Sequence, residues 1–152
     1  MRLTVVGDAN EQVVISDQAI VTLRRPMDAE RAMAMQFGAL GGLAAASQDK
    51  KADKQAASLQ PRKLESIKGV VECKVAELPL EFTRTPGWPK AGAGMIATIY
   101  PKSEFKHLKI SMLRGIRFEL RSNPKPQYIP VSMWHVSKVR QALGDSRYPL
   151  EA

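Results

Sequence analysis

Residues that build covalent cross-links and metal centres are scarce in this sequence of 152 residues. There is one cysteine and there are two histidines, and neither histidine stands in a His-x-x-Glu or His-x-x-x-His spacing. A lone cysteine excludes an internal disulfide and a cysteine-rich metal centre. Cys73 lies in a strand-like run, residues 70–75, where we expect a buried and unreactive thiol. The sequence therefore predicts no metal and no cofactor.

Signatures of catalysis are also missing. No serine stands in a Gly-x-Ser-x-Gly elbow. The stretch Gly92-Ala93-Gly94 is not followed by the Lys-Ser or Lys-Thr pair of a phosphate-binding loop. We therefore expect no catalytic residues and a protein that is not an enzyme.

Long hydrophobic runs are absent too. The longest one, residues 32–46, has 15 residues with a single polar side chain, whereas a helix that spans a bilayer needs about 20. The first eight residues hold no apolar stretch, so we expect no signal peptide and a cytoplasmic protein. Peripheral attachment at the inner face of the membrane stays open.

Within residues 32–46, small residues recur at every fourth position, which places them on one face of a helix. We expect this helix inside a helical or mobile insert, residues 28–60. Three interpretations stay open: a buried helix packed on a sheet, a contact with another copy or another protein, or an element that lies in a membrane interface. The predicted assembly surface comprises Ala34, Met35, Phe37, Gly38, Leu40, Gly42 and Ala46.

Acidic residues are few in the C-terminal two thirds of the chain. The net charge is +8, but residues 1–49 hold four basic and six acidic side chains, whereas residues 50–152 hold 19 and nine. Such a positive field favours anionic lipid, nucleic acid or an acidic protein as a partner, and a merely solvated face is the alternative. The predicted patch for an anionic ligand comprises Lys50, Lys51, Lys54, Lys106, Lys109, Arg114, Arg117 and Arg121.

Short β-branched segments dominate what is present. Residues 3–6, 12–15 and 19–23 read as three strands, and so little chain between them allows only antiparallel pairing. Residues 70–75 predict a strand that continues through residues 78–82. Residues 85–94 predict a loop, and residues 95–100 predict a further strand.

The clearest pattern is a hairpin near the end of the chain. Strict alternation predicts that Leu108, Ile110 and Met112 face inward, followed by Ile116, Phe118 and Leu120. Lys109, Arg117 and Arg121 then share an exposed face, where stacking aromatic residues are missing, which disfavours single-stranded nucleic acid. Residues 123–126 predict a turn. Ser132 is expected to cap a last helix, residues 133–143, which buries Trp134 and ends before Gly144.

Two local stretches carry a family resemblance. Residues 12–21, a strand, a Ser-Asp turn and a returning strand, resemble the early hairpin of pleckstrin-homology-like (PH-like) domains, including bacterial PH-like and GRAM-like domains. Residues 99–110 resemble the way in which these domains lead into a later strand through a proline and a serine. The resemblance implies one α+β, mainly β, domain, residues 1–152. It would be a seven-stranded antiparallel sandwich or barrel, with an inserted Ala/Gly-rich helix and a C-terminal helix that plugs one end.

The resemblance implies a non-catalytic binding or assembly module. Lipid-binding members carry lysines and arginines in the loop after the first strand, but here that loop, residues 7–11, is acidic. We therefore do not expect phosphoinositide binding in that mode. The first functional hypothesis is protein interaction or self-association through the insert; the alternatives are binding to anionic membrane lipids through basic patches and binding to nucleic acid.

Overall fold

Two antiparallel sheets and a C-terminal helix make up the part of the chain that the computed structural model describes, residues 2–7, 11–26, 54 and 58–151. The five-stranded sheet has the order β1-β2-β3-β5-β4, and the three-stranded sheet has the order β6-β7-β8. The strands are β1 (Thr4–Gly7), β2 (Glu11–Ile15), β3 (Ala19–Arg24), β4 (Val71–Lys74), β5 (Ile96–Pro101), β6 (Phe105–Ser111), β7 (Gly115–Leu120) and β8 (Asn123–Ile129). The expected α+β, mainly β, architecture is confirmed.

Helical elements are short except at the end. The α-helices are α1 (Leu80–Thr83) and α2 (Val136–Asp145). Four 3-10 turns span Leu64–Ser66, Val75–Glu77, Lys102–Glu104 and Met133–His135. Helix α2 contacts β1, β2 and β6, and therefore packs on strands from both sheets.

The early meander forms as the sequence predicts. Ser16 closes the turn between β2 and β3: its Oγ donates to the carbonyl of Ala19 at 3.0 Å and accepts from the backbone N–H groups of Gln18 and Ala19. Ser16 is buried, so these bonds replace the water that its hydroxyl would otherwise require. The turn fixes the register in which Val14 lies opposite Val21.

The five-stranded sheet is covered on both faces. One face packs Val13, Ile15 and Ile20 against the three-stranded sheet and α2. The other face packs on residues of the long connection between β3 and β5, among them Leu78 and Phe82. Alternation along β2 and β3 therefore supplies two apolar faces rather than one apolar and one wet face.

Three local expectations are wrong. Residues 78–82 do not continue a strand: after Pro79 the chain turns into α1, because the 3-10 turn Val75–Glu77 has already left the sheet. Residues 123–126, predicted as a turn, belong to β8, where Pro124 and Pro126 are tolerated because β8 is an edge strand. Met112 is exposed in the β6–β7 turn instead of facing inward.

The last helix begins and ends later than predicted. Ser132 does accept a hydrogen bond from the N–H of Trp134, at 3.4 Å, but the first turn is 3-10, and Trp134 is exposed. Gly144 lies inside α2. Two hydrogen bonds close the helix: Arg147 N–H donates to Gly144 carbonyl at 3.1 Å and Tyr148 N–H donates to Leu143 carbonyl at 3.0 Å, the pattern of a Schellman motif.

Neither sheet closes on itself within the described residues, which hold eight strands rather than the expected seven. The predicted insert, residues 28–60, lies outside the described residues except for Lys54 and residues 58–60.

Candidate functional site

The predicted functional residues fall into three groups. The whole predicted assembly surface lies outside the described residues: Ala34, Met35, Phe37, Gly38, Leu40, Gly42 and Ala46. Lys50 and Lys51 lie outside them as well, and Lys54 is exposed. The remaining cations, Lys106, Lys109, Arg114, Arg117 and Arg121, lie on or beside the three-stranded sheet.

Lys109 and Arg117 are brought together on the outer face of this sheet. They are direct partners across β6 and β7, and Arg117 is in turn the partner of Tyr128 on β8. Opposed residues of an antiparallel pair point to the same face, so the three side chains form one row. Arg114, in the β6–β7 turn, places its guanidinium carbon 5.9 Å from the centroid of the Tyr128 ring. We call Lys109, Arg114, Arg117 and Tyr128 the basic face.

Carboxylates border the basic face on one side. His107, in the next row, lies between two of them: its Nε2 is 3.2 Å from Glu119 and its Nδ1 is 3.1 Å from Glu151. Glu151 reaches this place because residues 148–151 run along β6, where Leu108 N–H donates to the carbonyl of Pro149 at 3.0 Å. Glu119 and Glu151 are thereby engaged with His107, and Lys109 and Arg117 form no ion pair with any described residue.

Arg121 does not join the basic face, contrary to expectation. It follows β7 in the turn to β8, at the opposite end of the sheet from Arg114. Its Nε donates to the carbonyl of Ser103 at 3.1 Å. Lys106 is exposed at a β-bulge between Phe105 and His107.

Exposed apolar side chains project from two turns at the Arg114 end. Their exposed fractions are 63% for Met112 and 87% for Leu113 in the β6–β7 turn, and 51% for Met133 and 85% for Trp134 in the 3-10 turn before α2. We call these four residues the apolar rim. Both turns border one cleft of about 400 Å³, which Glu11, Arg114 and His135 also line.

Gly115 explains why the two turns lie together. Its φ of +87° is a conformation that suits glycine, and a Cβ at this position would lie 2.3 Å from the carbonyl oxygen of Ile129. Any other residue would push β7 away from residues 129–131, and with them the 3-10 turn that follows. The rim was not predicted, because Met112 and Trp134 were expected in the core; in the sequence, Gly115 is the signal for a close approach at this point.

A second cleft, of about 580 Å³, opens between the five-stranded sheet and β8. Its floor is polar: Thr22, Thr98 and Glu72 form one row across β3, β5 and β4. Arg24 lies 3.7 Å from Glu72, and the two side chains are partly exposed to solvent. These hydroxyls and this ion pair offer hydrogen bonds to a polar ligand, but they contain no nucleophile with an adjacent base.

The buried titratable groups are structural. Burial raises the pKa of the Cys73 thiol, and the nearby Arg62 only partly offsets that effect, so Cys73 is a neutral thiol at physiological pH. Burial also raises the pKa of Tyr148, and the charge of Asp17 adds to the shift. The hydroxyl of Tyr148 donates to the buried carbonyl of Ser16 at 2.7 Å.

Within residues 2–7, 11–26, 54 and 58–151, no group of three or more His, Cys, Asp or Glu side chains is arranged so that it could hold a metal ion. In the same part of the chain, no helix is both long and apolar enough to reach across a bilayer. No family model matches this chain, and no curated protein and no solved structure is significantly similar to it.

Proposed function

We propose that this protein is a non-catalytic, PH-like binding module that attaches to anionic membrane surfaces through the apolar rim and the basic face. The observation that carries the proposal is the exposure of Leu113 and Trp134, 87% and 85%, beside the cations of the basic face. Two antiparallel sheets and a C-terminal helix that packs on both of them are consistent with the PH-like architecture.

Charge favours an anionic partner. Residues 105–143 contain eight lysines and arginines but a single carboxylate, that of Glu119. Lys109 lies directly opposite Arg117, and like charges in that arrangement destabilise a sheet. An anionic surface would relieve this repulsion.

Apolar side chains favour a lipid interface over a purely ionic contact. Full burial of a leucine or methionine side chain contributes about 1.5 to 3 kcal/mol, whereas a lysine or arginine near an anionic bilayer contributes about 1 kcal/mol. Partial insertion of the rim and three cations of the basic face therefore contribute similar amounts. We expect binding to require both.

Nucleic acid is the weaker alternative. Tyr128 is an aromatic residue on the basic face, but Arg114 already lies against its ring. The other aromatic rings of this sheet, Phe105 and Phe118, are buried, so they are not free to stack on bases.

Sedimentation with vesicles tests the proposal. We expect the protein to bind vesicles that contain phosphatidylserine more tightly than phosphatidylcholine vesicles, with weaker binding at higher salt. The double variant Leu113→Ala/Trp134→Ala should lose about tenfold or more in binding to anionic vesicles. The matched control is Leu80→Ala, because Leu80 is exposed on α1, away from the rim.

Trp134 also provides a direct probe. The only other tryptophan, Trp88, is half-buried beside Phe82. A blue shift of the fluorescence on vesicle addition should vanish in Trp134→Phe and persist in Trp88→Phe. Equal binding to neutral and anionic vesicles would contradict the role of the basic face and leave a purely apolar contact. Concentration-dependent self-association that the Leu113→Ala/Trp134→Ala variant abolishes would show that the rim binds another copy of the protein instead of a membrane.

A further inference from the structure

A cluster of three cations lies at the end of the three-stranded sheet that faces away from the apolar rim. Lys102, Arg121 and Arg147 line an open cavity of about 570 Å³. They come from the β5–β6 connection, the β7–β8 turn and the segment after α2. Because the turns of a meander alternate between its ends, the length of the strands separates this cation cluster from the apolar rim and from Arg114.

Each cation is held in place by the fold. The N–H of Lys102 donates to the carbonyl of Gln18 at 2.9 Å, and its ammonium nitrogen lies 5.6 Å from the centroid of the Tyr148 ring. The N–H of Arg121 donates to the carbonyl of Glu104 at 2.8 Å, while its Nε donates to the carbonyl of Ser103 at 3.1 Å. This arrangement leaves both terminal nitrogens of the Arg121 guanidinium available to a ligand.

Arg147 occupies a backbone position that usually belongs to glycine or asparagine. Its φ is +59°, and it is the only residue other than glycine with positive φ in the described part of the chain. It stands directly after the cap of α2, where a left-handed residue ends the helix. The unfavourable conformation aims an arginine at the cavity, where glycine would supply no charge.

Positive charge in the cavity is not balanced by carboxylates. No described carboxylate lies within ion-pair distance of Lys102, Arg121 or Arg147, and none lines the cavity. The carboxylate of Glu104 lies toward Gly69. The charge of Asp17 contributes to the raised pKa of Tyr148, but Asp17 forms no ion pair with the three cations. Three cations that line one cavity repel one another, and an anion bound among them reduces that repulsion.

We infer that the cation cluster binds a phosphomonoester group. Two guanidinium groups and an ammonium supply the donors that a dianionic phosphate accepts, and arginine matches phosphate oxygens in a bidentate manner. Ser103 and Gln18 add neutral polar groups to the lining, whereas Phe105 and Pro149 supply an apolar floor for the organic part of the ligand. The volume lies in the range of small-molecule sites.

Phenyl phosphate is the probe for the first test, because its ring suits the apolar floor. Titration of the isotopically labelled full chain should shift the amide resonances of residues 18, 102–105, 121, 147 and 148. Binding should strengthen between pH 5 and 7, since the second ionisation of a phosphomonoester has a pKa near 6. Phenol and chloride at matched ionic strength are the controls.

Two variants separate binding from folding. Arg121→Gln should weaken phenyl phosphate binding about tenfold. Arg147→Gly should do the same while keeping the backbone conformation that glycine prefers. Arg117→Gln, on the basic face, should leave phenyl phosphate binding unchanged.

Vesicles distinguish a lipid headgroup from a soluble ligand. If the phosphomonoester belongs to a lipid, phosphatidic acid should bind more tightly than phosphatidylserine, and Arg121→Gln should remove only that preference. If the phosphomonoester belongs to a soluble molecule, the protein should bind phenyl phosphate but show no preference between phosphatidic acid and phosphatidylserine vesicles. The inference is overturned if phenyl phosphate leaves the named resonances unmoved, or if Arg117→Gln weakens its binding as much as Arg121→Gln does. Failure of the wild type to bind phosphatidylserine vesicles would reject the proposed function and leave this inference intact.

Discussion

The two ends of the three-stranded sheet use aromatic and cationic side chains in opposite ways. At the apolar rim, Trp134 projects into solvent on a 3-10 turn, and Leu113 is similarly exposed on the β6–β7 turn. At the cation cluster, the rings of Phe105 and Tyr148 are buried in contact with each other, 5.7 Å between their centroids, and three cations line the surface above them. One end exposes apolar surface that water disfavours; the other exposes charge on a rigid apolar base.

This difference separates stability from binding. Side chains of the rim contribute little to the packed core, so their replacement should change association and leave the free energy of unfolding almost unchanged. Rings beneath the cation cluster belong to the core that joins the two sheets and α2. Their replacement should destabilise the fold before any ligand is added.

The largest expected effect is that of Phe105→Ala. Phe105 is buried and makes edge-to-face contacts with Phe118 and Tyr148. Its loss should lower the free energy of unfolding by about 3 to 5 kcal/mol, measured by urea denaturation. Trp134→Ala should change the same quantity by less than about 0.5 kcal/mol. A comparable cost for both variants would mean that the rim is part of the core.

Gly115→Ala should disrupt the rim end. A Cβ at Gly115 would collide with the backbone at Ile129 and Val131, and the left-handed conformation adds to the cost, so we expect a loss of about 2 kcal/mol or more. Gly87→Ala is the matched control, because Gly87 also has positive φ, +92°, but faces open space. Its cost should stay near about 1 kcal/mol. If thermal unfolding shows the same loss of stability for Gly115→Ala and Gly87→Ala, the backbone at residues 129–131 moves away from the added Cβ without a measurable cost.

Tyr148→Phe should have a smaller effect at the cluster end. The hydroxyl of Tyr148 satisfies the carbonyl of Ser16, a residue that is itself buried. Without it the carbonyl loses a partner that water cannot easily replace, so the free energy of unfolding at pH 7 should fall by about 1 to 2 kcal/mol. Urea titration measures this loss, provided that the dependence of the unfolding free energy on urea concentration is the same for the variant and the wild type. An unchanged midpoint would mean that water reaches Ser16.

The same tyrosine predicts a pH dependence. Its pKa in the folded protein is raised by burial, while in the unfolded chain it is about 10. Above that pH the unfolded chain releases the proton first, so the stabilisation by Tyr148 is complete below pH 10 and declines by about 1.4 kcal/mol for each further unit. The difference in unfolding free energy between the wild type and Tyr148→Phe should therefore shrink from pH 9 to pH 11. A constant difference would contradict a raised pKa.

Local patterns were sufficient to predict the regular parts of the fold. β-Branched runs in residues 12–15 and 19–23 predicted two strands, and the period of two in residues 116–120 predicted the buried side of the hairpin, because burial on one face selects apolar residues at every second position. The hydrogen bond that Ser132 accepts from the N–H of Trp134 was also predicted, because serine is a common N-cap residue. Residues 78–82 were misread because a short apolar run does not distinguish a strand from a turn of helix, and β8 was hidden by its two prolines.

The two ends were harder to predict because they depend on contacts between distant segments. The rim exists because Gly115 lets the β6–β7 turn approach the chain before α2. The cation cluster joins Lys102, Arg121 and Arg147, which no local pattern connects. Arg147 also ends α2 in place of Gly144, although glycine is the usual signal for that position. Sequence patterns locate elements, whereas sites arise where their ends meet.

Arg147→Gly gives the smallest and most discriminating effect. Glycine adopts a φ near +59° without the steric cost that arginine bears, but it gains entropy in the unfolded chain, so the net stabilisation should be about 0.5 to 1 kcal/mol. The hydrogen bonds from residues 147 and 148 that close α2 use only backbone groups, so glycine retains them. Thermal unfolding should show a rise of a few degrees. Arg140→Gly, at an exposed position inside α2, should instead lower the free energy of unfolding by about 1 kcal/mol. If Arg147→Gly also lowers the stability, the arginine side chain contributes to packing beneath the cluster. If it raises the stability, arginine at this position is unfavourable for folding, as we expect of a residue whose role is to bind an anion.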